Sequence, residues 1–546
     1  MPTFNQIMKR FTRLLLFVAQ FLFTHFVAKG QEIQPIWEQQ ATAEGSTLYG
    51  VPFVHIDSIG NVVVCANDYN PGPLNAIMTT KYNLTGQLLW QQKFDTPGND
   101  YTITSLCDAQ NAVYVAGNTA QNSIMGAVPG MIVLKYAANG SLEWFYRYEG
   151  PSVGQNYVTK ILFDEAQNVL VFGNYSNLAL SKTGLFAVKL SPGGQVLWSA
   201  SYVDEEFGYI GVGARWLGDR WVFWGKNLGA FDTRYLAWQL SDDGQTLAST
   251  QTELNVAHSP EAVHIGREGS LYASTWIKYQ VLKFSLDGQK QWEYDNPNNL
   301  PLPPQGVKAR VNVIETDNSG NVYVYGSFRQ LDGLQLLSTK INPIGSLEWE
   351  HSTLLNGNRV LPNNTAWQSD SVMLVASLVY TVPDSNFYEF AFLMYDEDGF
   401  IGAWSSDIEG RRNAPKNMAL TGESLFVAGI ADKSIATDPR RQILCKYDLG
   451  DIYKLLSNQE TGIQPLSFWP NPATSWAKLH LPENILTSMG SRVELRDGAG
   501  RLVQVQELTA GVAEVELLLE NLPPGFYLLS LRTAGGDVYV GKLMKQ

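Results

Sequence analysis

"LCDAQNAVYVAGNT" (106–119) and "GMIVLKYAANGSLEWFYRYEG" (130–150) make up one unit of a repeated pattern, and its grammar decides the fold. The unit holds four short strands. An apolar strand ends at Asp108, an alternating run extends from Ala112 to Gly117, a third strand covers Ile132 to Tyr136, and the turn Asn139-Gly140 leads into a fourth that carries Trp144. Period-two alternation broken by Asn-Gly or Asp-Gly turns is a hairpin signal, because alternate side chains face opposite sides and the turn residues accept positive φ. The same turn before a second strand recurs at Asp57-Gly60-Asn61, Asp164-Asn168, Glu268-Gly269-Ser270, Asp317-Gly320-Asn321, Asp370-Ser371 and Glu423-Ser424, with a divergent copy at Gly218-Asp219-Arg220. That gives eight copies of the second strand.

Tryptophan marks the fourth strand at Trp37, Trp90, Trp144, Trp198, Trp292, Trp349 and Trp404. A period of roughly fifty residues signals a repeat architecture in which each unit buries its faces only against its neighbours. The first Trp strand, from Ile36, precedes any complete unit, whereas the eighth unit runs out after "QILCKYDLGD" (442–451) with no Trp. An open ring would leave a strand edge bare, so the two ends are expected to pair and close an eight-bladed β-propeller over residues 31–456. The fourth unit deviates: Leu247 takes the Trp place, and Trp216, Trp221, Trp224 and Trp238 appear instead, which suggests specialised loops or a site there.

Composition agrees, with 12% aromatic residues and 48 glycines in 546, and with little of the 3.6-residue periodicity of helices. The net charge is −13, and the first thirty residues carry Lys9, Arg10, Arg13 and Lys29 with no acid, so the rest of the chain is more acidic still. This argues against a grip on nucleic acid or anionic lipid, which requires clustered Lys and Arg. The basic stretch Lys9 to Arg13, the apolar run Leu14 to Phe23, and Ala28 and Gly30 ahead of Gln31 read as a secretory signal peptide over 1–30, cleaved between Gly30 and Gln31. The apolar run is too short for a membrane span, and no other run is long enough, so no integral membrane segment is expected after processing.

Chemistry-bearing patterns are few. Cys65, Cys107 and Cys445 are scattered and read as buried thiols rather than a disulfide framework. His258-x-x-Glu261-x-x-His264 has a spacing that would suit a metal, but His264 occupies the repeat position held by His55, Leu106 and Glu315 in other units, which makes it a residue lining a central channel. Asp204-Glu205-Glu206 is the one dense acidic cluster on a loop and reads as a solvated turn rather than a glycosidase pair. The Asp-x-x-Gly-Asn turns lack the alternating oxygens of a calcium loop, and there is no Gly-x-Ser-x-Gly elbow or P-loop. Catalytic residues, metal ligands and cofactors are therefore assigned to none of these. Trp276, Trp367 and the fourth-unit tryptophans remain as candidates for stacking on sugars.

After a polar linker at 457–466 the grammar changes, and residues 467–546 read as a small antiparallel β-sandwich of immunoglobulin-like kind. Its distinctive pieces are Trp469-Pro470-Asn471-Pro472, Val493 to Asp497 with Gly500-Arg501, Leu522 with Gly525-Phe526-Tyr527, and the terminal Lys542-Leu543-Met544-Lys545-Gln546. In these motifs the segment resembles the C-terminal sorting domain of the type IX secretion system of Bacteroidetes, with Trp469 standing where that family usually has Tyr. The resemblance implies recognition by the type IX machinery through Pro470, Asn471, Pro472, Asp497, Gly500, Gly525, Tyr527, Lys542, Lys545 and Gln546. It also implies passage through the periplasm, removal of the tail, and release or attachment at the outer cell surface. The propeller units resemble those of secreted bacterial propellers only generically, and the fold does not select a function. The leading expectation is a binding or adhesion module for extracellular glycan or protein, with a carbohydrate-active hydrolase or lyase on the same scaffold as the alternative.

Overall fold

Turn chemistry sets the first hairpin of blades one and six. Asp57 Oδ1 accepts from the backbone N–H of Ile59 at 3.1 Å and of Asn61 at 2.8 Å, and Asp317 Oδ1 does the same for Ser319 at 2.9 Å and Asn321 at 2.8 Å. A carboxylate that satisfies two turn donors reverses the chain within four residues. Both turns are structural, as their sequence suggests.

The computed structural model describes residues 26–28, 31–40, 52–69, 75–121, 128–148, 150, 155–177, 182–227, 234–253, 260–275, 278–296, 310–330, 333–355, 359–367, 372–380, 388–396, 399–406, 408, 413–431 and 441–449. In the C-terminal part it describes 468–469, 473–480, 492–497, 502–507, 514–520, 522–523, 525–532 and 538–545. The named elements in these residues are all strands. Contacts divide the chain into two units, Met1–Gly450 and Asp451–Gln546.

The first unit is an eight-bladed β-propeller. Blades one to seven cover 53–94, 99–148, 156–202, 209–253, 260–295, 310–355 and 359–406, each a four-stranded antiparallel meander in chain order. Blade eight takes three strands from 414–448 and its outer strand, Trp37–Gln40, from the N-terminus. The register of that closure pairs Trp37 with Lys446, Glu38 with Cys445, Gln39 with Leu444 and Gln40 with Ile443, as expected from the strand count. First strands of successive blades touch all the way round, including blade eight against blade one, so they form the wall of a central channel. Second and third strands are buried almost throughout, and outer strands alternate exposed and half-buried residues. Phe26–Ala28 and Gln31–Ile33 add short parallel strands outside blades six and seven.

Five of the seven repeated tryptophans clasp one blade to the next, whereas Trp404 is fully buried and its indole N–H has no partner among the described residues. The Trp90 indole N–H of blade one donates to Ala138 O of blade two at 2.9 Å, and Trp144, Trp198, Trp292 and Trp37 donate in the same way to Pro192, Asp242, Pro343 and Leu84 of the following blade. In each case a turn glycine of that blade, Gly140, Gly194, Gly244, Gly345 or Gly86, lies flat on the ring. Trp37 thus joins blade eight to blade one by the same device that joins blades one and two. In blade four the register puts Ala248, opposite Gln239, and not the half-exposed Leu247, where other blades place Trp90 opposite Lys81 or Trp144 opposite Lys135, and there Gly288 meets Thr250, Thr252 and the Gln251 carbonyl. Trp221 and Trp238 are fully buried and Trp224 nearly so, which makes them packing residues rather than a sugar platform. They fill blade four from within.

Gly140 is required for two reasons. Its φ is +90°, and a Cβ there would stand 2.7 Å from the Trp90 ring. Gly422 also has positive φ, +53°, but nothing lies within 4 Å. Gly140→Ala should therefore cost about 2–5 kcal/mol, backbone strain and overpacking together, against about 1 kcal/mol for Gly422→Ala. Equal losses of melting temperature would remove the clasp from this account.

The second unit is a sandwich of two sheets. One holds Phe468–Trp469, Trp476–His480 and Glu514–Leu518, and the other holds Leu502–Glu507, Arg492–Asp497, Gly525–Arg532 and Val538–Lys545 in that spatial order. Alternate residues from both sheets, among them Ala477, Leu479, Leu517, Val493, Leu495, Leu529 and Leu543, meet in one core without a disulfide.

Candidate functional site

The channel wall collects charged residues from separate blades. A β-bulge between Val158 and Lys160 shifts the phase of blade three's first strand, and Asn118 of blade two pins it by accepting the Val158 N–H at 2.9 Å. Bulges recur in the first strands of blades two to eight, where they re-aim side chains at the rim of the channel. Past these bulges stand Lys160 of blade three, Arg215 of blade four, His264 of blade five, Glu315 of blade six and Thr365 of blade seven. The charges of Lys160 and Arg215 act on His264 and on Glu315. Blades two or three apart can meet only across the channel, so this cluster faces its interior. Lys160 is open to channel water and yet surrounded by protein.

Each group bears the mark of this enclosure. Burial, reinforced by Arg215 and Lys160, holds His264 down to about 3, so its imidazole is neutral in any mild buffer. Its Nε2 lies 3.2 Å from Thr316 Oγ1. Burial also raises Glu315, while the Thr365 hydroxyl, donating to Oε1 at 3.2 Å, the cations Arg215 and Lys160, and Trp367 favour its charged form. Burial lowers Lys160 and Arg215, and Arg215 lowers Lys160 further. Trp367, half-buried on the first strand of blade seven, stands edge-on to Tyr323 with ring centroids 5.2 Å apart.

A pH dependence follows. The unfolded chain carries an ordinary histidine near 6.5, whereas folded His264 refuses a proton until about 3. Between those values the unfolded state binds more protons, so stability is lost as pH falls. Glu315, raised by burial, opposes this at the acid end, since it gains its proton more readily when folded. Between about pH 7 and pH 5 the His264 contribution is roughly 1 kcal/mol after allowance for channel water. His264→Gln should shrink the acid loss of melting temperature by that amount, and an unchanged acid loss would contradict the placement.

The other sequence candidates have structural roles. Asp204 Oδ1 accepts from the N–H of Glu206 at 2.9 Å and of Phe207 at 2.8 Å, and Oδ2 accepts from Tyr202 and Gln251, so Asp204 closes a turn. Burial pushes the Cys65 thiol up to about 11 and Cys107 up to about 12, away from thiolate chemistry. Among the described residues no group of three or more His, Cys, Asp or Glu could hold a metal, and no helix is long and apolar enough to cross a membrane. His258 and Trp276 lie outside the described residues.

In the tail, the motif pieces converge. Asp497 pairs with Tyr527, Tyr527 with Leu543, Leu528 with Lys542 and Gly525 with Lys545, while Ala473, next after Pro472, bridges Lys545. Tyr527 donates to Pro523 O at 2.6 Å, and the buried Lys545 ammonium donates to the carbonyls of Leu522 and Glu520. Trp469 stays 70% exposed beside Trp476. Pro470, Asn471, Pro472, Gly500 and Gln546 fall outside the described residues, as does Gly30; Gln31 starts the strand along blade seven. Residues 467–546 match the family model of the secretion system C-terminal sorting domain. The propeller therefore carries a sorting tail, which directs export by type IX secretion.

No curated protein matches the chain. Among solved structures, a polysaccharide lyase aligns over 75% of this chain and 92% of its own at 10% identity and a TM-score of 0.42. The virginiamycin B lyase of Staphylococcus aureus aligns over 75% and 98% at 12% identity and a TM-score of 0.33. A protein of Dyadobacter fermentans aligns over 76% and 98% at 9% identity and a TM-score of 0.35.

Proposed function

We propose that the protein acts outside the cell, released or held at the outer surface, as a binding module for an extracellular glycan or protein, with the propeller channel as its binding site. The observation that carries this reading is the union of a sorting tail with a closed propeller whose channel gathers Lys160, Arg215, His264 and Glu315 from four blades. Rigid strands hold these groups in place, and a preformed polar constellation in a concavity is what a binding site needs. Two-carboxylate hydrolysis needs a second acid a few ångströms from the first. The two carboxylates that act on Arg215 are both engaged, Glu315 by Thr365 and Glu268 by Tyr272 and Lys283.

The test is a screen of the purified chain against glycans, polysaccharides and extracellular proteins, run with a product assay on every binder. Saturable binding without new reducing ends, unsaturated sugars or peptide fragments is expected. A product that accumulates with time would replace the module by the hydrolase or lyase reading.

A further inference from the structure

Lys160 and Arg215 share one stretch of channel although the Arg215 charge makes Lys160 harder to keep charged; Glu315 offsets both, and Arg215 also feels the acid Glu268 and the further cation Arg267. Folding gains nothing from two cations held together, and sites kept at a cost in stability are typically functional. A second observation points the same way. Arg215 Nη1 is a buried donor with no hydrogen-bond partner among the described residues. Such a donor forfeits its solvation unless something from outside accepts from it.

The surroundings narrow the class of that acceptor. A guanidinium fork beside an ammonium matches a carboxylate. Around the two cations stand Glu315, which can only accept when ionised, the neutral His264 imidazole, the hydroxyls of Thr316 and Thr365, and the half-buried Trp367 ring. These suit hydroxyl groups and the apolar face of a sugar ring. The whole chain, at −13, repels long polyanions, so a single small anion is admitted more readily than an extended charged polymer.

We propose that the channel cluster binds a small hydroxylated carboxylate, in chemical class a sugar acid, with Lys160 and Arg215 holding the carboxylate and Glu315, His264 and Thr365 meeting the hydroxyls. This assignment rests on the binding-module reading and specifies its ligand class.

Calorimetric titration of the full chain with glucuronate, glucose, acetate and inorganic sulfate tests it. Glucuronate should bind saturably and more tightly than the other three. Lys160→Met should weaken glucuronate roughly tenfold or more through loss of a charge-assisted contact. The unliganded melting temperature of that variant should hold or rise, because a like-charge repulsion is relieved. Arg215→Lys, which keeps the charge and loses the fork, should also weaken glucuronate while folding normally. Glucose equal to glucuronate would overturn the anion site and leave a neutral-glycan module standing. Sulfate or acetate equal to glucuronate would overturn the sugar-acid assignment. No glucuronate binding at millimolar concentration, or binding untouched by Lys160→Met, would overturn the proposal outright, whereas failure of the binding module itself would require that the wider screen find no ligand at all.

Discussion

Deleting residues 31–42 should lower the melting temperature of the propeller by about 10 °C or more, or prevent its folding. The deletion removes the outer strand of blade eight, whose four residues pair with Ile443 to Lys446. It also removes Trp37, packed 5.8 Å from Phe426 of blade eight and 6.4 Å from Tyr82 of blade one by ring centroids. Loss of the Trp37 side chain alone costs about 3 kcal/mol, since it is only half-buried, and four ladder hydrogen bonds add about 2–6 kcal/mol. The sum rivals the whole stability of an ordinary domain. A bare edge at Arg441–Asp448 would also invite pairing between molecules, so aggregation should accompany the loss. Trp37→Ala, which keeps the strand, should show about a third to a half of the effect. An unchanged melting temperature in the deletion would mean that the ring closes by other contacts.

That closure was legible because its signals are local. A Trp strand missing from unit eight and one in surplus at the N-terminus fix the pairing by count, whereas Val113 to Gly117 is buried on both faces and its alternation distinguishes neither. The structure adds the reason for the Trp and Gly spacing, which sequence periodicity does not contain. The indole of one blade packs under the turn glycine of the next, so the two residues are linked across a blade boundary and not within a unit. In the deviant blade four the tryptophans Trp221 and Trp238 fill a core and the turn carrying Asp242 still receives the Trp198 clasp, while the blade's first strand gives Arg215 to the channel cluster.

The channel cluster was half legible. His264, His55 and Glu315 share a repeat position, which pointed to the channel, and Arg215 shares it too: Arg215 opposes Val222 as His264 opposes Tyr272 and Glu315 opposes Tyr323. Lys160 was hidden because in blade three the shared repeat position holds Leu162, and Lys160 stands two residues earlier on the same face. No motif joins these residues, since about fifty residues separate each from the next and only the ring brings them face to face. The tail is the opposite case. Its motifs are contiguous, and only the burial of Lys545 against the Leu522 and Glu520 carbonyls needed three dimensions.

Export should depend wholly on that tail. The sorting domain folds as its own two-sheet unit with its own core, so it can be moved without disturbing the propeller's packing. Its motif residues Asp497, Tyr527, Lys542 and Lys545 lie on adjacent strands, Ala473 and Gly525 both meet Lys545, and the Tyr527 and Lys545 side chains are buried, so these residues hold the unit's fold together. A chain ending at Gly462 should fold, retain the channel, and stay inside the outer membrane, with its extracellular yield reduced by an order of magnitude or more.

The measurement that bears most directly on the account is the location of three chains expressed in a host with a working type IX system: the full chain, the chain ending at Gly462, and a periplasmic reporter fused to residues 463–546. The full chain and the fusion should be recovered at the surface or in the medium, and the truncated propeller should be folded and confined to the periplasm. A truncated propeller that reaches the medium at full yield without lysis, or a fusion that stays behind, would contradict the account of this protein as a propeller delivered outside the cell by its tail.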